Sequence, residues 1–201
     1  MQRTSSLAIL GGTFDPPHIG HLILAECARL QFGLDRVLFI PAGDPYRKAD
    51  QPVTAAADRL AMTAAAINGN PAFVLDEREV RRTGPSYTVD TLEEIVAEGN
   101  GRPLLLLGTD ALADLPNWRQ PERIAQLARI VVARRDGAAP DEQEPEHDYE
   151  TVDMPLLRVS SSELRNRVAA GKSIRYLVPS AVEAYISEHG LYRAGNLEGL
   201  Q

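Results

Sequence analysis

The sequence predicts an α/β fold in a single domain: a doubly wound parallel sheet with helices on both faces. Three observations carry this. Strand and helix signals alternate along the 201 residues. The candidate strands are continuous apolar runs, as expected of a sheet covered on both sides. Several runs end on glycine or proline, the punctuation of strand-to-helix turns. Together they make the expected architecture Rossmann-like, with ligands at the carboxyl ends of the strands where the topology switches.

The elements follow in order. Leu7-Ala8-Ile9-Leu10, ended by glycines, reads as a buried first strand. Ile19, Leu22, Ile23, Cys27 and Leu30 recur at helical spacing, with Gly33 as the expected stop. Val37-Leu38-Phe39-Ile40 is the second strand, ended by Pro41. Residues 54–67 are alanine-rich and helical, with Leu60, Met62 and Ile67 among the apolar positions. Ala72-Phe73-Val74-Leu75 is a strand, 88–98 a helix, and Leu104-Leu105-Leu106-Leu107 a buried strand ended by Gly108. A short helix holds Ile124 to Leu127, and Ile130-Val131-Val132-Ala133 is the fifth strand. Helices near 160–170 and 180–189 complete the pattern.

Composition narrows the class. Hydrophobic content of 44% with 24% charged residues fits a soluble globular protein of one domain, residues 1–201. No run is long enough to span a membrane and no signal-peptide core is present, so a cytoplasmic setting is expected. One cysteine excludes an internal disulfide and a thiolate metal cluster, and Cys27 is expected on the buried face of the first helix. The net charge of −7 comes from residues 136–149, which hold six acids and no Lys or Arg. The remainder, 22 acids against 21 bases, carries no basic stripe of a nucleic-acid binder. The acidic stretch reads as a surface loop. Oligomeric state, including a homo-oligomer, is left open.

The candidate chemistry sits after strands. Residues 11–21 read Gly-Gly-Thr-Phe-Asp-Pro-Pro-His-Ile-Gly-His. Gly11 and Gly12 permit close backbone approach and positive φ. Pro16 and Pro17 fit just before or at a helix start, whose N–H groups attract phosphate. His18 and His21, three apart, would share one face of the first turn. A lone His-x-x-His is ordinarily a pair of surface histidines; the strand, glycine turn and helix around this one point to phosphate contacts. Val159-Ser160-Ser161-Ser162-Glu163-Leu164-Arg165 comes next. Ser160 with Glu163 is a capping box, which leaves the further serines and Arg165 at a helix start suited to polyphosphate.

The first segment resembles the signature of the bacterial nicotinate mononucleotide adenylyltransferases, in the HxGH nucleotidyltransferase superfamily, and the likeness extends from residue 7 to residue 192. That family joins nicotinate mononucleotide to the AMP part of ATP, giving deamido-NAD and pyrophosphate. The resemblance implies that His18 and His21 are catalytic, contacting the α-phosphate and steadying the phosphates. It places Gly11, Gly12, Thr13, Phe14, Lys48, Gly108, Asp110, Ser161, Ser162 and Arg165 against ATP. It places Tyr87, Thr88, Trp118 and Arg134 against the mononucleotide. The serine segment is similar to Ile-Ser-Ser-Thr-x-Ile-Arg, departing at Val159, Ser162 and Leu164. The loop ending at Lys48 is similar to Pro-x-His-Lys, with Arg47 where histidine is usual. Ser86 to Leu92 matches Ser-Tyr-Thr-x-Asp-Thr-Leu, where the start of a helix near Thr88 would hold the pyridine carboxylate. Trp118, the only tryptophan, would stack on the pyridine ring. Mg²⁺ would be bound mainly through the ATP phosphates, with no dedicated carboxylate cage, and Asp15 either contacts its hydration shell or only shapes the turn.

Nicotinamide mononucleotide and phosphopantetheine are alternative acceptors, although the phosphopantetheine enzymes tend to carry threonine at the position of His18 and to be shorter. A nucleotide-binding regulatory module without catalysis is the reading from a different class; the intact histidine pair speaks against it. A class I synthetase fragment is disfavoured, since nothing resembles a tRNA-binding domain.

Overall fold

In the computed structural model, which describes residues 6–45, 52–134 and 148–193, six parallel strands form one sheet in the order β3-β2-β1-β4-β5-β6. The strands are β1 (Leu7–Gly12), β2 (Arg36–Pro41), β3 (Phe73–Leu75), β4 (Leu104–Leu107), β5 (Arg129–Arg134) and β6 (Tyr149–Asp153). The helices are α1 (Ile19–Phe32), α2 (Ala56–Ile67), α3 (Arg78–Arg81), α4 (Thr88–Ile95), α5 (Thr109–Asp114), α6 (Pro121–Leu127), α7 (Ser161–Ala169) and α8 (Ser180–Glu188). The chain winds outward from β1 to β3, crosses back to β4, and winds outward again to β6. The topological switch lies between β1 and β4, which pair Ala8 with Leu104 and Ile9 with Leu105.

The continuous apolar runs divide between two faces with the strand period of two. Leu7, Ile9, Leu38, Ile40, Leu105, Leu107, Ile130 and Val132 face α4 and α6. Ala8, Leu10, Val37, Phe39, Leu104, Leu106 and Val131 face α1 and the end of α2. A third cluster joins α2 to α7 and α8 through Met62, Ala66, Leu164, Val182, Ile186 and Tyr192. The C-terminal helices therefore rest on α2 and come close to the end of β1.

Several expectations need correction. The buried face of α1 is Leu24, Ala25 and Ala28; Leu30 is 65% exposed and Cys27 only half-buried. The alanines have no side-chain bulk and let the helix lie close to the sheet. A sixth strand, β6, follows β5, and its first residue, Tyr149, falls at the end of the expected acidic loop. Only Val152 of this edge strand is buried. Its outer edge is covered by Gln31, which donates to the Thr151 carbonyl at 2.8 Å and accepts the Asp153 N–H at 3.0 Å. The helix expected over 88–98 leaves α-geometry after Ile95, in a wider turn over Val96–Asn100 that contains Gly99 at φ 84°. Residues 136–147 of the acidic stretch lie outside the described residues. Among the described residues no helix is long and apolar enough to cross a membrane.

Candidate active site

A cavity of about 740 Å³ opens at the carboxyl ends of β1 and β4. It is lined on one side by Gly11, Gly12, Thr13, His18, Gly20 and His21, and across it by Ser160, Ser161 and Ser162. Gly108 and Asp110, from the end of β4 and the first turn of α5, line the middle. Thr88 and Trp118 line the far end. Residues separated by 150 positions in the chain thus meet at the switch point, where the alternating pattern predicts a ligand.

The turn after β1 departs from the expected geometry. Gly11 and Gly12 remain extended in β1, opposite Ile40 and Pro41. Positive φ falls instead on Phe14, at 50°. Gly12 lets Phe14 lie close: a Cβ there would stand 3.2 Å from the Phe14 ring and press on it. Phe14 itself is 2% exposed and does not line the cavity. Its ring lies under His21, edge-on at 5.0 Å, so it supports the site from behind. His18 is the N-cap of α1 rather than part of its first turn. The two imidazoles stack, with centroids 3.7 Å apart, and the His18 N–H donates to His21 Nδ1 at 3.1 Å. That bond leaves the neutral His21 ring with its proton on Nε2. The first N–H of α1 is already used, because Ile19 donates to the Leu177 carbonyl at 3.0 Å.

His18 is buried, and desolvation pushes its imidazole from the usual 6.5 down to about 4. Its Nδ1 is buried without a hydrogen-bond partner. The ring is therefore a neutral imidazole at pH 7, not an imidazolium. Gly20 fits this arrangement: a Cβ would press on His18 Nδ1 at 3.0 Å and on Val159 at 3.2 Å.

The serine segment caps and ties at once. Ser160 Oγ accepts the Glu163 N–H at 3.2 Å, as the capping box predicts. Ser161 Oγ donates to the Pro16 carbonyl at 2.8 Å. Arg165 does not line the cavity; it donates to the Asp15 carbonyl at 2.8 Å and to Ser162 Oγ at 3.3 Å. Asp15 is 2% exposed and accepts from the Tyr192 hydroxyl at 2.6 Å and the Thr54 N–H at 3.2 Å. Of its two expected roles, these bonds give it the shaping of the turn. Burial and the Asp15 charge push the Tyr192 hydroxyl far up, so it stays a donor.

Sequence reasoning missed Arg59. This α2 residue is 1% exposed. It donates to the carbonyls of Thr54 at 2.8 Å, Thr13 at 2.9 Å and Gly43 at 2.9 Å. One buried guanidinium thus clamps the turn after β1 to the loop after β2. No sequence signal announces it, since an arginine in an alanine-rich helix reads as a surface residue.

At the far end, Trp118 is oriented by Asp114, whose carboxylate accepts the indole N–H at 3.2 Å. Tyr87 is the N-cap of α4; it does not line the cavity, and Arg119 lies over its ring at 4.5 Å. Arg134 ends β5 beside this edge, with its side chain outside the described residues. Arg47 and Lys48 also lie outside them. Among the described residues no three His, Cys, Asp or Glu side chains are grouped as a metal site.

Comparison with known proteins gives the family. Residues 9–167 match the cytidylyltransferase-like family model. A protein of Thermomicrobium roseum named "Probable nicotinate-nucleotide adenylyltransferase" is 47% identical over 94% of this chain and 92% of its own length. A protein of the same name from Roseiflexus sp. is 48% identical over 94% and 99%. A solved structure of the Plasmodium falciparum nicotinic acid mononucleotide adenylyltransferase complexed with NaAD superposes with a TM-score of 0.77, at 21% identity over 94% of this chain and 97% of that one. The last likeness carries the fold, and the first two carry the family: the chain belongs to the nicotinate-nucleotide adenylyltransferases.

Proposed function

We propose that the protein transfers the adenylyl group of ATP to nicotinate mononucleotide, releasing pyrophosphate and forming deamido-NAD. The observation that carries this is the single continuous cavity, about 740 Å³, lined at one end by the stacked histidines and serines and at the other by Thr88 and Trp118. It has the volume and the two kinds of lining that two nucleotides held end to end require.

An oxygen of the mononucleotide phosphate attacks the α-phosphorus, and the bond from that phosphorus to the oxygen bridging to the β-phosphate breaks. The attacking phosphate is largely dianionic at neutral pH, so no general base is needed. Alignment and charge stabilisation then account for the rate. His18 enters as a neutral hydrogen-bond donor. The negative charge of a bound polyphosphate raises its proton affinity, so it gains positive character where charge develops. His21 holds His18 in register by stacking and shares the phosphates. Gly11, Gly12 and Thr13 let the phosphates approach β1, Ser161 and Ser162 face them from α7, and Lys48 adds a positive charge. Phe14 and Arg165 act from behind, by packing and by holding the loop. Gly108 and Asp110 are placed for the nucleoside. Trp118 stacks on the pyridine ring, the start of α4 at Tyr87 and Thr88 receives its carboxylate, and Arg134 reaches the mononucleotide phosphate. Mg²⁺ would enter as part of the ATP substrate and would offset phosphate charge there. ATP and nicotinate mononucleotide are the partners, and the proposed setting is the cytoplasm.

Pyrophosphate release with Mg-ATP tests the reading, using nicotinate mononucleotide, nicotinamide mononucleotide and phosphopantetheine in separate reactions. Release with the first, at the highest kcat/KM, is expected. Preference for either other acceptor replaces the assignment. ATP binding without release for any acceptor makes the protein a regulatory module.

A further inference from the structure

Glu79 lies behind the acceptor end of the cavity and takes no part in the steps above. It sits on α3, is 7% exposed, and lines the cavity beside Ser86, Thr88 and Thr91. Its Oε1 accepts the Thr91 hydroxyl at 2.6 Å, and Ser86 lines the cavity beside it. Both hydroxyls are themselves acceptors. Ser86 Oγ receives the N–H of Gly43 at 2.9 Å and of Asp44 at 3.3 Å. Thr91 Oγ1 receives Arg82 Nη1 at 3.1 Å.

A hydroxyl has one hydrogen to give. Thr91 gives its hydrogen to Glu79, so the direction of that chain is fixed: it runs from Arg82 through the Thr91 hydroxyl into one buried carboxylate. Gly43 and Asp44 converge on Ser86 beside it. The Glu79 backbone is fixed as well, because its carbonyl fills the space that a Cβ on Gly43 would need. Ser86 and Thr91 stand on either side of Thr88, two residues before and three after.

We propose that Glu79 is a positioning residue for acceptor specificity: by holding Thr91 it fixes the entry into α4 that receives the acceptor's anionic group. This rests on the acceptor reading given above. Commitment to Glu79 withdraws the Thr91 hydroxyl from the substrate. The donors that remain include the backbone N–H groups at the helix start and Thr88, and these favour a carboxylate over a neutral amide. A carboxylate needs them in register, so a loosened entry costs nicotinate more than nicotinamide.

The test compares wild type with Glu79→Gln, which replaces one acceptor oxygen by a donor amide, and with Thr91→Val, which removes one hydroxyl and leaves Glu79 in place. KM for each mononucleotide, KM for ATP and kcat are measured at saturating partner substrate. The expected result for Glu79→Gln is a rise of about tenfold in the nicotinate mononucleotide KM, the equivalent of one charge-assisted hydrogen bond. KM for ATP stays unchanged and the nicotinate-to-nicotinamide preference falls. Thr91→Val moves the same quantities in the same direction, and the double variant is no worse than the worse single one. If Glu79→Gln does not fold, Thr91→Val alone decides. Unchanged acceptor KM and preference, or equal losses for ATP and both acceptors, overturn the assignment while wild-type turnover stands. A wild type that forms no deamido-NAD overturns the underlying reading and this assignment together.

Discussion

The neutral, buried His18 makes a prediction about stability that needs no substrate. Its imidazole is held near pKa 4 in the folded protein against 6.5 when exposed. Between these values the unfolded chain binds a proton that the folded chain refuses. Stability therefore rises with pH across this window. The contribution is intact above pH 6.5, is lost as pH falls towards 4, and stops changing below that, where both states carry the proton. At about 1.4 kcal/mol per pH unit, the window amounts to about 3 kcal/mol. Urea unfolding of wild type and His18→Gln, at intervals from about pH 7.5 to 4, isolates it. Gln keeps a polar side chain and cannot titrate, and the carboxylates shared by both proteins largely cancel in the difference. The wild type should lose about 3 kcal/mol more than the variant over this range. Parallel profiles for the two proteins would refute the claim that His18 is dry and neutral, and with it the proposed neutral donor.

Other consequences are as direct. Arg59→Met leaves the carbonyls of Thr54, Thr13 and Gly43 without their guanidinium donor, so urea unfolding should show a loss of about 3 kcal/mol or more, at about 1–3 kcal/mol for each buried group left unsatisfied; a loss under about 1 kcal/mol would show that Arg59 does not hold the loops together. Trp118→Ala should raise the nicotinate mononucleotide KM with the ATP KM nearly intact, and an unchanged mononucleotide KM in steady-state assays removes the stacking role. Asp114→Ala should shift the same KM less, by freeing the indole N–H that it now holds at 3.2 Å.

Much of this was legible in the chain, for identifiable reasons. Leu7 to Leu10, Val37 to Ile40 and Leu104 to Leu107 are fully apolar because both sheet faces are covered, and that pattern placed the site after β1 and β4. Ser160 and Glu163 announced the cap of α7. What escaped was set by tertiary contact. Arg59 and Glu79 are charged residues whose burial appears only when distant carbonyls or a hydroxyl converge on them. The buried face of α1 was misplaced because Ala25 and Ala28 carry a weak hydrophobic signal but fit closest to the sheet. Strand β6 was hidden because, at the sheet edge, only Val152 needs to be apolar. The histidine pair was legible as a site but not as a geometry, since spacing alone does not separate an N-cap from a first turn.

The central claim is that the mononucleotide phosphate attacks the α-phosphorus of ATP beside His18. It is tested by giving the protein Mg-ATP labelled at the α-phosphorus, with nicotinate mononucleotide, and separating the products. The label should appear in deamido-NAD and none in pyrophosphate, and a folded His18→Ala protein should form that product about 10²–10³-fold more slowly. Label in a product other than the dinucleotide, or His18→Ala turning over at the wild-type rate, would contradict the account.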